Sequence, residues 1–595
     1  MKWFERILPV LVLLIVALTY ANHFENGFHF DDQHAVVKNP GIRTLANIPK
    51  FFMDARLFSI FPPNQSYRPL TSATLAIDYA LGGGLEPFYF HLTTFCAFLV
   101  QLLVMGALFH KLVGNRVQAW LAVAAYGVHP VGAETINYII QRADMYVALG
   151  LSAGMLLYAN KRYRWAFLVF FIAYFAKPSA LVFAGLVLSY EHFLGDRNYR
   201  RTAPYFLLAA ALAVLNTLMT PPTNLTGSTT DAYKYRLTQA YIAATYLREA
   251  VAPFHLAADS EFPPFENVIE PLAVLGYVVV AGLLYIIFKG PPVVSFGLSW
   301  FLIAMAPTSL TPLGDVTNDH RMFGPFVGLA LVLSSLLTTK IRRYVILFAL
   351  PFLAYGTTLR NEVWNSEESL WRDAVAKRPT NGRAWLNLGV CLLTMHRPAE
   401  GLAAMLEAKK LNESYVYLEV NLGMCYGELG KLEKAEHHFV RATQVDPGGT
   451  PLYLYGDFLV KCKRLKEAVP ILYESNQRNP MDQKALKLLY SVFDAQLNHC
   501  RENPTVANYS DLCLFYILGH EYKEAAKAAE EAVRLDPKSA LARSNQATAY
   551  LALGRWQDAA KAAQEALRLK PGLASAQRTL EQARQKLAET PEKKI

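Results

Sequence analysis

The sequence predicts an all-α polytopic membrane protein with a C-terminal helical solenoid, on three observations. Apolar runs recur from Met1 to about Gly356, most near the ~20 residues that cross a bilayer. From about Thr357 to Ile595 the composition turns charged and Ala-rich. Within that second part, prolines recur at a spacing near 34 residues. The expected domains are therefore 1–357 in the membrane and 358–595 outside it.

The apolar segments lie near 7–22, 91–111, 117–133, 143–159, 164–176, 178–190, 203–219, 269–288, 292–307, 322–338 and 343–357, which predicts about eleven spans. The first, behind Lys2 and Arg6, reads as an uncleaved signal anchor because further spans follow it. With the N-terminus inside, every inside segment carries Lys or Arg: Lys111/Arg116, Lys161/Arg162/Arg164, Arg197/Arg200/Arg201, Lys289 and Lys340/Arg342/Arg343. That satisfies the positive-inside rule. An odd number of spans then puts 23–90, 129–142, the turn at 177, 220–268, 308–321 and everything after 357 on the outside.

The formal charge of +10 falls largely in those inside loops, where it serves topology, so nucleic acid is not an expected partner. Six cysteines without a CxxC pair or a Cys/His cluster read as buried helix residues, not as a disulfide frame or zinc site. No Walker loop, GxGxxG or HExxH occurs, which speaks against an ATP-driven process. The first outside loop, rich in Phe51, Phe52, Phe58, Phe61 and Tyr67, is expected to lie on the membrane as short amphipathic helices. Asn64-Gln65-Ser66 and Asn224-Leu225-Thr226 would be sequons in a eukaryotic host.

In the outer half, Pro379, Pro447, Pro480, Pro504, Pro537 and Pro571 are spaced by 68, 33, 24, 33 and 34 residues. Ahead of them small residues recur at matching offsets, as in Ala525, Ala529, Ala532 and Ala559, Ala563, Ala566. Small side chains let two helices of a hairpin approach, and the proline ends the second helix, which is the tetratricopeptide (TPR) pattern. The stretch 481–504 fits poorly and reads as an irregular repeat or a kink; 572–588 reads as a capping helix.

Five places could carry chemistry. Asp31 and Asp32 follow the first span; they are either a solvated acid pair or helix cap, or a general base at the lipid–water boundary. Two adjacent acids are compatible with a divalent cation, Mg or Mn, without building a site by themselves. Arg68 either snorkels to headgroups, pairs with Asp31 or Asp32, or holds a lipid phosphate through its fork. His129, Glu134, Arg142 and Asp144 crowd one outside loop, where they either fix the loop by pairing or support a site. Lys177, before Pro178, is a helix-end anchor or a phosphate ligand. Asp319 and Arg321 form a structural ion pair, or Arg321 is a second phosphate ligand.

The phrases FDDQHAVVKNP, YRPLTSATLAIDYALGGGLEPFYFHLTTF, HPVGAETINYIIQRADM and NDHRMFGPFVG resemble, in that order, the membrane segments of the transmembrane-and-TPR-containing (TMTC) O-mannosyltransferases and their bacterial relatives. The resemblance implies a GT-C glycosyltransferase fold, a sugar donor on a polyprenyl phosphate, and a Ser or Thr hydroxyl of a translocated protein as acceptor. It implies an acidic role for Asp31 or Asp32, and places Arg68, His129, Glu134, Arg142, Asp144 and Arg321 on motif positions. The sequence departs from the pattern where Pro178 stands for a Glu after Lys177, and where Asp319 stands for Glu.

These readings combine into one expectation. Asp31 or Asp32 deprotonates the acceptor, which attacks the anomeric carbon with inversion, while Arg68, Arg321 and Lys177 hold the phosphate. The TPR groove binds the acceptor or a partner protein. The expected location is a bacterial inner membrane with the TPRs in the periplasm, or the endoplasmic reticulum membrane with lumenal TPRs in a eukaryote. The alternatives are a transferase acting on a lipid or envelope glycan, and a non-enzymatic membrane-anchored scaffold.

Overall fold

The computed structural model describes residues 2–222, 231–260, 262–411 and 416–589, so the Asn224–Thr226 sequon lies outside the described residues. All regular structure among the described residues is helical. The chain forms two compact units, divided between Leu388 and Gly389.

In the first unit the order is α1 (Lys2–Thr19), α2 (Ile48–Phe51), α3 (Pro69–Leu81), α4 (Pro87–Val113), α5 (Arg116–Gly127), α6 (Ala133–Asn137), α7 (Arg142–Ala159), α8 (Tyr163–Tyr174) and α9 (Phe183–Phe193). There follow α10 (Ala203–Met219), α11 (Ala232–Glu249), α12 (Pro271–Lys289), α13 (Pro292–Leu310), α14 (Phe323–Leu336), α15 (Lys340–Val363) and α16 (Glu367–Lys377). Helix α17 (Gly382–Thr394) begins in this unit. Prolines open α3, α4, α12 and α13, where the missing N–H costs nothing. The first unit thus ends at Leu388, not at 357, because α15 runs on to Val363 and α16 packs against it.

Among the described residues, four helices are long and apolar enough to cross a bilayer: α4, Tyr199–Met219 (which contains α10), α12 and α13. The count of eleven is not reproduced by that measure. Helices α5 and α8 have 12 residues each, α9 has 11 and α14 has 14. At ~1.5 Å per residue these fall short of the ~30 Å hydrocarbon core. Every residue of α5 from Gln118 to Gly127 is buried in the protein. An apolar run in the sequence therefore marks burial, and does not say whether lipid or protein does the burying. Close packing among these helices rests on glycine: a Cβ on Gly328 of α14 would strike the Gly297 carbonyl of α13.

The second unit consists of stacked hairpins after α18 (Pro398–Leu411): α19 (Val416–Glu428) with α20 (Leu432–Val445), and α21 (Gly449–Lys461) with α22 (Leu465–Arg478). Then come α23 (Lys484–Glu502), α24 (Val506–Leu518) with α25 (Tyr522–Leu535), α26 (Ala540–Ala552) with α27 (Trp556–Leu569), and α28 (Ala574–Glu589). The recurring Ala435, Ala442, Ala525, Ala529, Ala532, Ala559, Ala563 and Ala566 are all fully buried, as the small-residue pattern requires. Turns within hairpins place Gly430, Lys463, His520 and Gly554 in the left-handed region, the common way to end a helix. The poorly fitting 481–504 stretch is one 19-residue helix, α23, in place of a hairpin, which accounts for the short proline spacing.

Candidate functional site

The site is built on the segment after α1. Asn26 Nδ2 donates to Asn137 Oδ1 at 2.6 Å and to the Asn361 carbonyl at 3.2 Å. Asn137 Nδ2 in turn donates to Asn361 Oδ1 at 2.7 Å. This buried amide chain ties the exit of α1 to α6 and α15. On that base, Phe30 adopts φ +48°, rare for a bulky residue. Its ring is held among Tyr138, Trp364 and Trp371, with centroids at 5.5, 6.0 and 5.0 Å.

The turn at Phe30 sends the two aspartates different ways. Asp32 is fully buried, its Oδ2 accepting from His29 N–H at 3.0 Å and its Oδ1 from Ile140 N–H at 2.9 Å. It caps no helix, and both oxygens are committed to backbone. Asp31 keeps 47% of its side chain exposed. Its backbone N–H donates to Tyr138 Oη at 2.8 Å, and its Oδ1 lies 3.1 Å from His34 Nε2. Of the two carboxylates, Asp31 is the solvent-accessible one.

Burial pushes the Asp32 carboxyl up to about 7, against the two N–H donors that favour its anion. The neutral form is thus favoured by the fold. Between the ordinary carboxylate range and about 7, the folded chain binds more protons than the unfolded one, so stability falls as pH rises through that window. Burial also pushes Asp319 up, to about 6, which adds to the same slope. The free energy of unfolding in detergent is expected to fall between pH 4.5 and pH 7.5 by an amount on the order of a few kcal/mol. Asp32→Asn should flatten that dependence, and an unchanged slope in that variant would contradict the assignment.

Arg68 and Lys177 are brought together by backbone docking. Leu70 N–H donates to the Phe175 carbonyl at 3.0 Å, and Thr71 Oγ1 donates to the Ala176 carbonyl at 2.9 Å. Arg68 lies over the Phe58 ring at 5.0 Å, and its buried Nε has no hydrogen-bond partner among the described residues. Burial holds the Arg68 guanidinium below its ordinary range, with Asp144 and Asp31 opposing that effect. Lys177 donates to both Asp144 oxygens, at 2.8 and 2.7 Å. Burial lowers its ammonium; Asp144 opposes, while Arg68 and Arg321 add to the lowering. Arg321 donates to the Asp315 carbonyl at 2.8 Å.

The three cations share one neighbour. His320 is held well below the usual imidazole range by burial first, then by Lys177, Arg321 and Arg68. Its Nδ1 lies 2.9 Å from Glu134 Oε1, whose partner oxygen is buried with no hydrogen-bond partner among the described residues. Burial and then the charge of Asp319 hold Glu134 well above the carboxylate range. The cluster brings together Arg68, Lys177, Arg321, Glu134, Asp144 and Asp319, with Asp31 felt by Arg68.

Other expectations are corrected. Asp319 accepts from Ala257 N–H at 2.8 Å and forms no ion pair with Arg321 among the described residues. His129 accepts from Val131 N–H at 3.3 Å and lies on Phe326 at 4.8 Å; burial holds it at about 4, a neutral turn cap. Arg142 is fully buried in an ion pair with Asp78, and donates to the Phe90 carbonyl at 2.7 Å and the Ile139 carbonyl at 3.1 Å. It braces the strand of backbone that holds Asp32, and stands apart from the cation cluster. No group of three or more His, Cys, Asp or Glu that could hold a metal occurs among the described residues. Each Asp32 oxygen accepts one backbone N–H.

Comparison with known proteins supplies the relationship. The chain is 21% identical over 509 residues to protein O-mannosyl-transferase TMTC3 of Mus musculus, covering 73% of this chain and 54% of that protein. The Homo sapiens protein of the same name is 21% identical over 504 residues, covering 73% and 55%. The chain is a relative of the TMTC proteins. It is 31% identical to TMTC4 of Mus musculus over 157 residues, 24% of this chain and 21% of that one. The chain spans about half the length of the TMTC3 proteins it matches. The tetratricopeptide repeat family matches residues 518–574 and 420–448, within α24–α28 and α19–α20. Among solved structures, the TPR protein YrrB, described with an unusual peptide-binding site, is 17% identical with a TM-score of 0.20, covering 36% of this chain and 97% of that one.

In this TMTC relative, several site residues were not singled out by the sequence: Asp78, Tyr138, His320, His34 and Asn361. Asp78 had a signal available, since an acid inside an apolar helix demands a buried cation. Tyr138 and Asn361 had none, because their roles lie in backbone and amide contacts across the unit.

Proposed function

We propose that this chain is a membrane glycosyltransferase of the GT-C kind, moving a sugar from a polyprenyl-phosphate carrier to Ser or Thr hydroxyls of extracytoplasmic proteins with inversion. The observation that carries the reading is the docking of the Arg68 segment onto the Lys177 turn, with Arg321 acting on the same Lys177 and Asp31 acting on Arg68 through an accessible carboxylate. Three half-buried cations, two of them acting on Lys177 and one with a buried guanidinium nitrogen left unpartnered among the described residues, favour an anionic ligand. The printed names of the TMTC relatives point to the same chemistry.

The carrier phosphate is a stable anion, so the reaction needs a cationic clamp and a base for the hydroxyl, with no strong general acid. Asp31 takes the hydroxyl proton as the oxygen attacks the anomeric carbon, and the bond to phosphate breaks with its electron pair on the phosphate oxygen. Arg68 and Arg321 hold that oxygen's charge; Lys177, already paired with Asp144, contributes from the side. The polytopic arrangement of about eleven apolar segments would place this site on the outside. The TPR array would bind the acceptor or a partner protein there, in the periplasm of a bacterium.

Arg68→Gln is expected to lower transfer about 100-fold or more, read as incorporation of labelled sugar from polyprenyl-phosphate mannose into protein. Wild-type activity in that variant would sink the clamp. Mass spectrometry of extracytoplasmic proteins with and without the gene tests the acceptor class. Loss of hexose from Ser and Thr supports the reading; a loss confined to envelope lipids or glycans reassigns the acceptor.

A further inference from the structure

The contact between Asp31 and His34 bears on where the hydroxyl proton goes, and it rests on the transferase reading above. His34 follows Asp31 by one turn, with Nε2 at 3.1 Å from Oδ1. The other ring nitrogen, Nδ1, lies 2.9 Å from Ser59 Oγ. That hydroxyl also accepts from Phe61 N–H at 2.9 Å and donates to the Phe61 carbonyl at 3.2 Å. A hydroxyl has one hydrogen. Directed at Phe61, it assigns the imidazole proton to Nδ1 and leaves Nε2 with a lone pair.

Asn64 agrees with that tautomer: its Nδ2 lies 3.0 Å from Nε2 and donates to it, in the amide orientation the network sets. A lone pair facing a carboxylate oxygen is repulsive. The Asp31–His34 contact becomes a hydrogen bond only when a proton lies between the two atoms. The network therefore has room for one proton, at the atom pair where Asp31 would hold one after acting as base.

We propose that His34 is the proton relay of Asp31, receiving at Nε2 the proton that Asp31 has taken from the acceptor hydroxyl. As the hydroxyl oxygen bonds to the anomeric carbon, its proton goes to Asp31. The Asp31 O–H bond then breaks as the Nε2–H bond forms, leaving a carboxylate beside an imidazolium. The imidazolium releases its proton to water through the 19% of its side chain that stays accessible. The groups facing the pair are Ser59, Asn64 and the Phe61 ring, at 5.6 Å from His34, with Tyr138, Arg68 and buried Asp32 around Asp31. Because it acts through Asp31, His34 is a positioning residue.

The test uses the full chain in detergent, polyprenyl-phosphate mannose, and acceptor protein from a strain lacking the gene. His34→Asn keeps an N–H where Nδ1 stands and has no base at Nε2. It is expected to lower kcat at least 10-fold with the donor KM unchanged, and to move the acid limb of the pH–rate profile. His34→Ala is expected to regain activity with added imidazole, which a purely structural histidine would not allow. Wild-type kcat and pH profile in His34→Asn, or a folded His34→Ala that imidazole does not rescue, overturn the relay while Asp31→Asn stays inactive. If Asp31→Asn transfers sugar at the wild-type rate, the transferase reading itself falls, and the relay with it.

Discussion

Asp31→Asn is expected to lower sugar transfer by about 10²- to 10⁴-fold, the usual worth of a positioned general base, with little change in thermal stability. The carboxylate is nearly half exposed, so its loss leaves no buried group unsatisfied. The backbone N–H of residue 31 still donates to Tyr138 Oη, which keeps the turn in place. Donor binding should persist, because the cations that would hold the phosphate are untouched. Asp32→Asn is the contrast: it alters a buried carboxylate that accepts two backbone hydrogen bonds, so its first effect should appear in stability. Full activity in Asp31→Asn would remove the base from the mechanism.

Arg142→Met is expected to destabilise the first unit by about 3–5 kcal/mol, the cost of leaving a buried charge without its partner. Asp78 would lose its cation, and the Phe90 and Ile139 carbonyls would lose their guanidinium donors. Through Ile139 the loss reaches Ile140, whose N–H holds Asp32. The double variant Asp78→Leu/Arg142→Met should be less unstable than the sum of the single changes, since no charge is then left unpaired. Unfolding in detergent as a function of denaturant reads both. A neutral Arg142→Met would show that the pair contributes nothing to holding the loop.

The chain's broad plan was legible because it depends on neighbours in sequence. Apolar runs, opening prolines and small residues at offsets of four and seven act through contacts one or two helical turns away. The helical hairpins of the second unit, with their fully buried alanines, follow from that local pattern. Even the irregular stretch announced itself by a proline spacing of 24 in place of about 34.

What composition could not supply is direction and partner. Asp31 and Asp32 are adjacent and chemically identical, yet the left-handed turn at Phe30 buries one and exposes the other. Arg142 pairs with Asp78, 64 residues away, and Lys177 with Asp144, 33 residues away. The eleven apolar segments did not say which would be sheathed by protein, as α5 is. A charge in a low-dielectric interior selects whichever opposite charge the packing brings within reach. So the sequence determined by itself the helices, the repeats and the inventory of acids and cations; only the tertiary structure decided which acid is accessible, which cation is already paired, and which histidine faces Asp31.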